Sequence, residues 1–405
     1  MNRYTIIILA IVATSLLSAC ANTPSTPENT LAPTIQGPGG QFSTAQPAAP
    51  SWRSPARSIT RENVFEIELL GRLDFNGTPS TIFNYAFSPD GTRIVGLNNT
   101  NVVGWDLITG QFVINNTHKN ATRLFYSVDK TELYVVERDG TVAIYSAETS
   151  VSDTSFMGHE RFNGIVAYDP INGWLALGGI DGSIQVWDTL TRTALSVFTA
   201  HQGEVTQLVF SPDGTRLVSS GIDGTNYLWN WQNREIIHTL NNENVPTIRV
   251  AYHPSGETIA IATNEVITMW DVPSGEFIHG LPTGVGGSDS LLMFSPNGKF
   301  LVNGGNIPDM MIWDAESDNH FVAYLPEMGQ GRIAAAFSPD SELLLTSKLE
   351  GETALWDMTQ ITDETVLRAN INPASTRVVY VDWSPDAFTI LFFDAGGSVY
   401  VWGLP

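Results

Sequence analysis

Three residues in the middle of the chain have the chemistry of a nucleophilic catalyst: His201, Ser219 and Asp223, with Trp229 six residues past the aspartate. An imidazole beside a hydroxyl can take its proton as the oxygen attacks an acyl carbon, and a carboxylate can hold the imidazole in place. The same groups can also satisfy one another inside a protein. A buried carboxylate needs several donors, which an imidazole, a hydroxyl and turn amides supply, while an indole N–H bonds the serine. A partial copy, His159, Asp181 and Trp187, precedes this set with Leu177 in the serine position. Upstream again, His118 and Asp139 precede Tyr145, with Val135 between them.

Other chemistry finds little support. The seven histidines form no His-x-x-x-His or His-Glu-x-x-His pair, so no metal site is expected. There is no Gly-x-Ser-x-Gly elbow and no Gly-x-x-x-x-Gly-Lys phosphate loop. Gly284–Ser290 is glycine-rich but lacks the lysine and enters a strand, as a connecting loop does. No Asp-x-Asp-x-Asp spacing supports calcium. No catalytic residue, metal ligand or cofactor is therefore expected. The formal charge is −22, with 20 Lys and Arg against 42 Asp and Glu. A field of that sign repels nucleic acid and anionic headgroups, which argues against either as a direct ligand.

The N-terminus has the form of an export signal: Arg3, the apolar run Thr5–Leu17, then Ser18-Ala19-Cys20. The run is short of the about 20 residues that span a bilayer. Leu17-Ser18-Ala19-Cys20 resembles the lipobox of bacterial lipoprotein signals. That resemblance implies a signal peptide at residues 1–19, cleavage before Cys20 and lipid on its sulfur, which is the only thiol in the chain. Residues 20–63 hold the lipidated cysteine and a segment rich in Pro, Thr, Ser and Ala with no apolar period. It cannot bury enough surface to offset its ordering entropy and reads as a disordered tether. The expected location is a cell membrane or outer membrane, outside the cytoplasm.

From residue 64 to 405 the elements that must position these side chains repeat. Unit-ending aromatics stand at 105, 145, 187, 229, 270, 313, 356 and 402, a period of about 42 residues. Each unit holds a turn such as Ser211-Pro212-Asp213-Gly214, in which proline presets φ and Asp and Gly accept the later turn conformations. Between the turns lie strands of about five residues rich in Val, Leu, Phe and Thr. This period and punctuation resemble a WD-repeat β-propeller, an all-β ring of four-stranded blades. Eight blades are expected, with seven, the commoner number, as the alternative. The last unit lacks an outer strand after Trp402, and Phe65–Leu73 alternates apolar and polar, so it can supply one and close the ring.

The resemblance decides how the polar set is read. It implies that His201, Ser219, Asp223 and Trp229, and in part His159, Asp181 and Trp187, form a structural network across a blade. It implies a monomeric propeller that binds unidentified protein partners on one face, held to the membrane through Cys20, with no catalysis of its own. Arg138, Ile180 and Ile222, each just before a turn aspartate, are candidates for that interaction rim. The alternative is a propeller enzyme or small-ligand binder acting at the central channel.

Overall fold

The computed structural model describes residues 35–36, 52–74, 81–118, 120–148, 152–240, 245–282, 291–304, 310–316, 321–325, 334–348, 352–361, 367–371 and 377–405. The apolar run, Cys20 and most of the expected tether lie outside them, as does Gly284–Ser290. Among the described residues no helix is long and apolar enough to cross a membrane.

The strands form eight antiparallel sheets, each a blade. Blade 4 shows the plan: β1 (Val205–Phe210) innermost, then β2 (Leu217–Gly221), β3 (Asn226–Asn230) and β4 (Glu235–Thr239) at the rim. Neighbouring strands pair by short hairpins, with Leu208 opposite Ser219 and Leu217 opposite Trp229. The Ser-Pro-Asp-Gly turn between β1 and β2 is closed by its own side chains. The Ser211 hydroxyl donates to Asp213 Oδ1 at 2.6 Å, and the Arg216 amide donates to Ser211 Oγ at 2.9 Å. The turns at Ser88, Ser338 and Ser384 repeat this geometry.

Alternation along each strand sends successive side chains to opposite neighbours. Leu217 packs toward blade 3, whereas Val218 packs toward blade 5. The apolar interior is thus a ring of separate clusters, one at each of the eight junctions between blades. No blade buries both faces without two neighbours, which is why the ring must close.

Closure agrees with the sequence expectation, with shifted bounds. The N-terminal strand is Glu68–Leu73, after a short 3-10 turn at Val64–Glu66, and it pairs with Val399–Gly403 as the outer strand of blade 8. Of the expected tether, residues 52–63 are held against the propeller as a strap. The amides of Arg53, Ala56 and Ile59 donate to the carbonyls of Leu70, Leu404 and Ala387 at 3.0, 2.8 and 2.7 Å. Trp52 Nε1 donates to the Ile108 carbonyl at 2.9 Å, Ile59 is 1% exposed, and Arg61 pairs with the buried Asp357 at 2.8 Å. Backbone hydrogen bonds and two apolar anchors outweigh the composition that reads as disorder. Ile35–Gln36 also pairs, adding to the outer edge of Leu367–Ile371 in blade 7.

Candidate functional site

The strand directions give the ring two faces. One carries the starts of the innermost strands and the turns between second and third strands. The opposite face carries the remaining hairpin turns, and the strap lies there against Ile108, Ala387 and Asp357.

The Ser/His/Asp set sits inside blade 4 on the first face. The Thr225 hydroxyl donates to Asp223 Oδ1 at 2.6 Å and so accepts from His201 Nδ1 at 2.9 Å. That assignment leaves His201 Nε2 to accept the Ser219 hydroxyl at 2.7 Å, and Ser219 Oγ accepts the Trp229 indole N–H at 2.9 Å. The Gln202 amide closes the chain onto Asp223 Oδ2 at 2.7 Å. Every donor and acceptor is used by a neutral imidazole. Burial lowers the His201 pKa, against the pull of Asp223. Burial acts to raise the Asp223 pKa, but hydrogen bonds from Thr225 and Gln202 outweigh it and hold the carboxyl below its usual value.

The order hydroxyl, imidazole, carboxylate is that of a catalytic relay with one threonine inserted, but it cannot attack a substrate. Ser219 has no exposed surface, and its oxygen already accepts an N–H where an acyl carbon would have to approach. A Cβ at Gly221 would stand 2.5 Å from the His201 ring, so only glycine permits the imidazole to lie there. The relay ties the loop entering β1 to the turn leaving β2, and this stiffens the rim. Thr225 is the member that sequence reasoning missed; a hydroxyl two residues past the turn aspartate was the available signal.

Blade 3 assembles its partial set differently. The Asp181 carboxylate accepts from the Ser183 hydroxyl, which lies 3.0 Å from His159 Nε2, and the Arg161 amide donates to His159 Nδ1 at 3.1 Å. Trp187 does not join them. With Leu177 in the serine position its indole donates to the Gly158 carbonyl at 2.8 Å. His118 meets the Asn98 carbonyl and the Ala121 amide rather than Asp139. In blades 6 and 7 the residue ten before the tryptophan, Asn303 or Thr346, takes the serine's place at 2.8 Å. In blade 8 that residue is Phe392, and the buried Trp402 N–H has no hydrogen-bond partner among the described residues.

Arg138, Ile180 and Ile222 occupy equivalent places on the same face. Their amides donate to the carbonyls of Asn120, Arg161 and Glu204 at 3.0, 2.9 and 2.9 Å, and their side chains point outward. Ile180 is 54% and Ile222 60% exposed. Arg138 lines a cleft. This cleft, about 410 Å³, is walled by Phe83, Thr122, Arg123, Phe162, Asn163 and Gly164 at the mouth of blades 1–3. Sequence reasoning did not find it, because its walls come from three different repeats.

These features define the molecule as an eight-bladed β-propeller with a buried polar relay inside one blade. The family model described as "WD domain, G-beta repeat" matches residues 151–188 and 192–230, the second of which holds the relay. Over 118 residues, 27% of this chain, the sequence is 29% identical to the Protein LST8 homolog of Drosophila melanogaster, covering 37% of that protein. Over 113 residues it is 30% identical to the Periodic tryptophan protein 2 homolog of Neurospora crassa, covering 12% of it. The chain thus spans well under two thirds of either relative. The crystal structure of the computationally designed Ika8 protein is similar in fold, with a TM-score of 0.66 over 81% of this chain and 98% of that one at 23% identity.

Proposed function

We propose that this chain is a lipid-anchored, extracytoplasmic WD-repeat scaffold that binds protein partners on the face carrying Arg138, Ile180 and Ile222 and performs no catalysis of its own. One observation carries the reading. The set able to do nucleophilic chemistry is consumed inside a blade, whereas the rim it stiffens presents exposed isoleucines and an open cleft. Rigid, loop-lined surfaces of this kind suit recognition, because little order is lost on binding. Crosslinking in cells followed by mass spectrometry tests it. The expected result is a reproducible partner whose crosslinks fall on this face; repeated recovery of the protein alone counts against it.

The anchor rests on the Leu17–Cys20 motif. Cys20→Ser is expected to move the protein to the soluble fraction or stall its processing, and unchanged membrane retention would overturn the lipid assignment. The second reading, a small-ligand binder or enzyme at the channel, draws on the cleft, whose volume suits a small molecule. Native mass spectrometry from cell extract, with a small molecule retained in stoichiometric amount, would favour it over the scaffold.

A further inference from the structure

The cleft at the mouth of blades 1–3 does not share the charge of the molecule around it. The chain carries −22, yet two of the residues walling the cleft are arginines. Arg123 comes from the innermost strand of blade 2 (Ala121–Tyr126) and Arg138 from the turn after that blade's second strand (Glu132–Glu137). Both are exposed. Arg161, next in sequence to the wall residue Phe162, pairs with Asp181 at 3.3 Å, and elsewhere Arg53, Arg57, Arg61, Arg72 and Arg192 each hold a carboxylate, while Arg93 and Arg234 bond a carbonyl and a hydroxyl. Neither Arg123 nor Arg138 enters an ion pair among the described residues, and Arg123 donates only to the Thr122 carbonyl beside it.

Two guanidinium groups left without carboxylates in an acid-rich protein are poised for a carboxylate from outside. The remaining walls narrow the class. Phe83 and Phe162 are half-buried and offer ring surface on two sides. Asn163 is held from behind: its side-chain amide donates to the Val205 carbonyl at 2.6 Å and to Glu204 Oε1 at 3.2 Å, and its oxygen accepts the Ile165 amide at 3.1 Å. Gly164 has φ +98°, and a Cβ there would meet no atom within 4 Å, so the strand presents bare backbone to the opening. The strap lies on the opposite face, so the described part of the N-terminal segment leaves the cleft uncovered.

We infer that this cleft binds an acidic peptide segment of the partner, its Asp or Glu side chain held between Arg123 and Arg138 and an adjacent apolar side chain lodged between Phe83 and Phe162. This deepens the scaffold reading and rests on it. The test uses the purified full-length protein and two synthetic peptide libraries, one with a fixed Asp or Glu next to Phe or Leu, the other with Asn or Gln in the same place. The acidic library should be retained selectively, and Arg123→Gln and Arg138→Gln should each weaken retention about tenfold, as expected for truncating a close charge pair. Arg234→Gln, on a guanidinium bonded to Ser196 in blade 3's outer strand, should leave it unchanged. Raising salt should weaken it too. Equal retention of both libraries, retention of neither, or binding that survives the double Arg123→Gln, Arg138→Gln substitution overturns the inference. Free inorganic phosphate displacing the peptide with no preference for the apolar neighbour would reduce the site to a general anion site and also overturn it. If crosslinking finds a partner seated elsewhere on the ring, the scaffold stands and only the cleft assignment fails. If the acidic library binds but cells yield no partner, the scaffold fails instead.

Discussion

Asp223 and Asp382 are both enclosed carboxylates, yet they respond to pH in opposite directions. Asp223 is held below its usual pKa by donors, so its contribution is full near neutrality and is lost as pH falls through its folded value. Removing it leaves the Thr225 hydroxyl and the Gln202 amide without their acceptor. Asp223→Ala should lower stability at pH 7 by about 1–2 kcal/mol, and an unchanged denaturation midpoint would refute its place in the relay. Asp382 lies at the seam between the last and first blades, where Tyr85 donates to it at 3.0 Å and the Trp383 amide at 2.8 Å. Burial dominates there and pushes its pKa up to about 6. The protonated form is the one the fold favours, so its stabilisation is complete below the unfolded value near 4 and is lost as pH rises through about 6. Asp382→Asn mimics the neutral acid. It should match the wild type at pH 4 and exceed it at pH 7 by up to about 2 kcal/mol. Urea midpoints across that range check this; a wild-type deficit that does not grow with pH would count against it.

The strap illustrates what could not be seen in the sequence. Strands and turns announce themselves by local chemistry: alternation in Thr206–Phe210, the Ser-Pro-Asp-Gly turn, and an outer strand missing after Trp402 and present before residue 74. The relay was legible for the same reason, since its members stand at fixed offsets within one repeat. Residues 52–63 have no period, and their partners Leu70, Ile108, Asp357, Ala387 and Leu404 are near or remote in sequence without pattern. The cleft was hidden in the same way. Trp187 was misjudged for a smaller reason: one leucine at 177 removes the acceptor, and the indole turns to a backbone carbonyl. The energetics of the strap are nevertheless local. Ile59 packs among Val64, Leu343, Val381 and Trp383 at the junction of blades 7 and 8. Ile59→Ala should cost about 2–4 kcal/mol. The variant's thermal unfolding measures this, and a loss below about 0.5 kcal/mol would mean that the strap is laid on the surface without bearing on the fold.

A ring has no beginning, so the place where Glu68–Leu73 meets Val399–Gly403 governs the whole. Residues 52–73 supply Ile59, Val64, Ile67, Leu70 and Leu73 to the two clusters flanking blade 8. Each such side chain contributes about 1.5–3 kcal/mol by burial. Together that is roughly 10 kcal/mol, comparable with the net stability of a typical domain. Removing residues 1–51 spares all of these and should leave a single cooperative transition at an unchanged midpoint. Removing residues 1–74 exposes the edge of Val399–Gly403 and strips one side of both clusters. Because each blade relies on two neighbours, that loss should spread around the ring and abolish the cooperative transition. Misfolding for an unrelated reason would give the same result, so the deciding measurement is rescue. A peptide of residues 52–74 added in trans should restore the transition in a concentration-dependent way, and the same peptide carrying Leu70→Asp should not. A cooperative transition in the shorter chain without peptide would show that the seven blades whose strands run consecutively hold themselves together and that closure is dispensable.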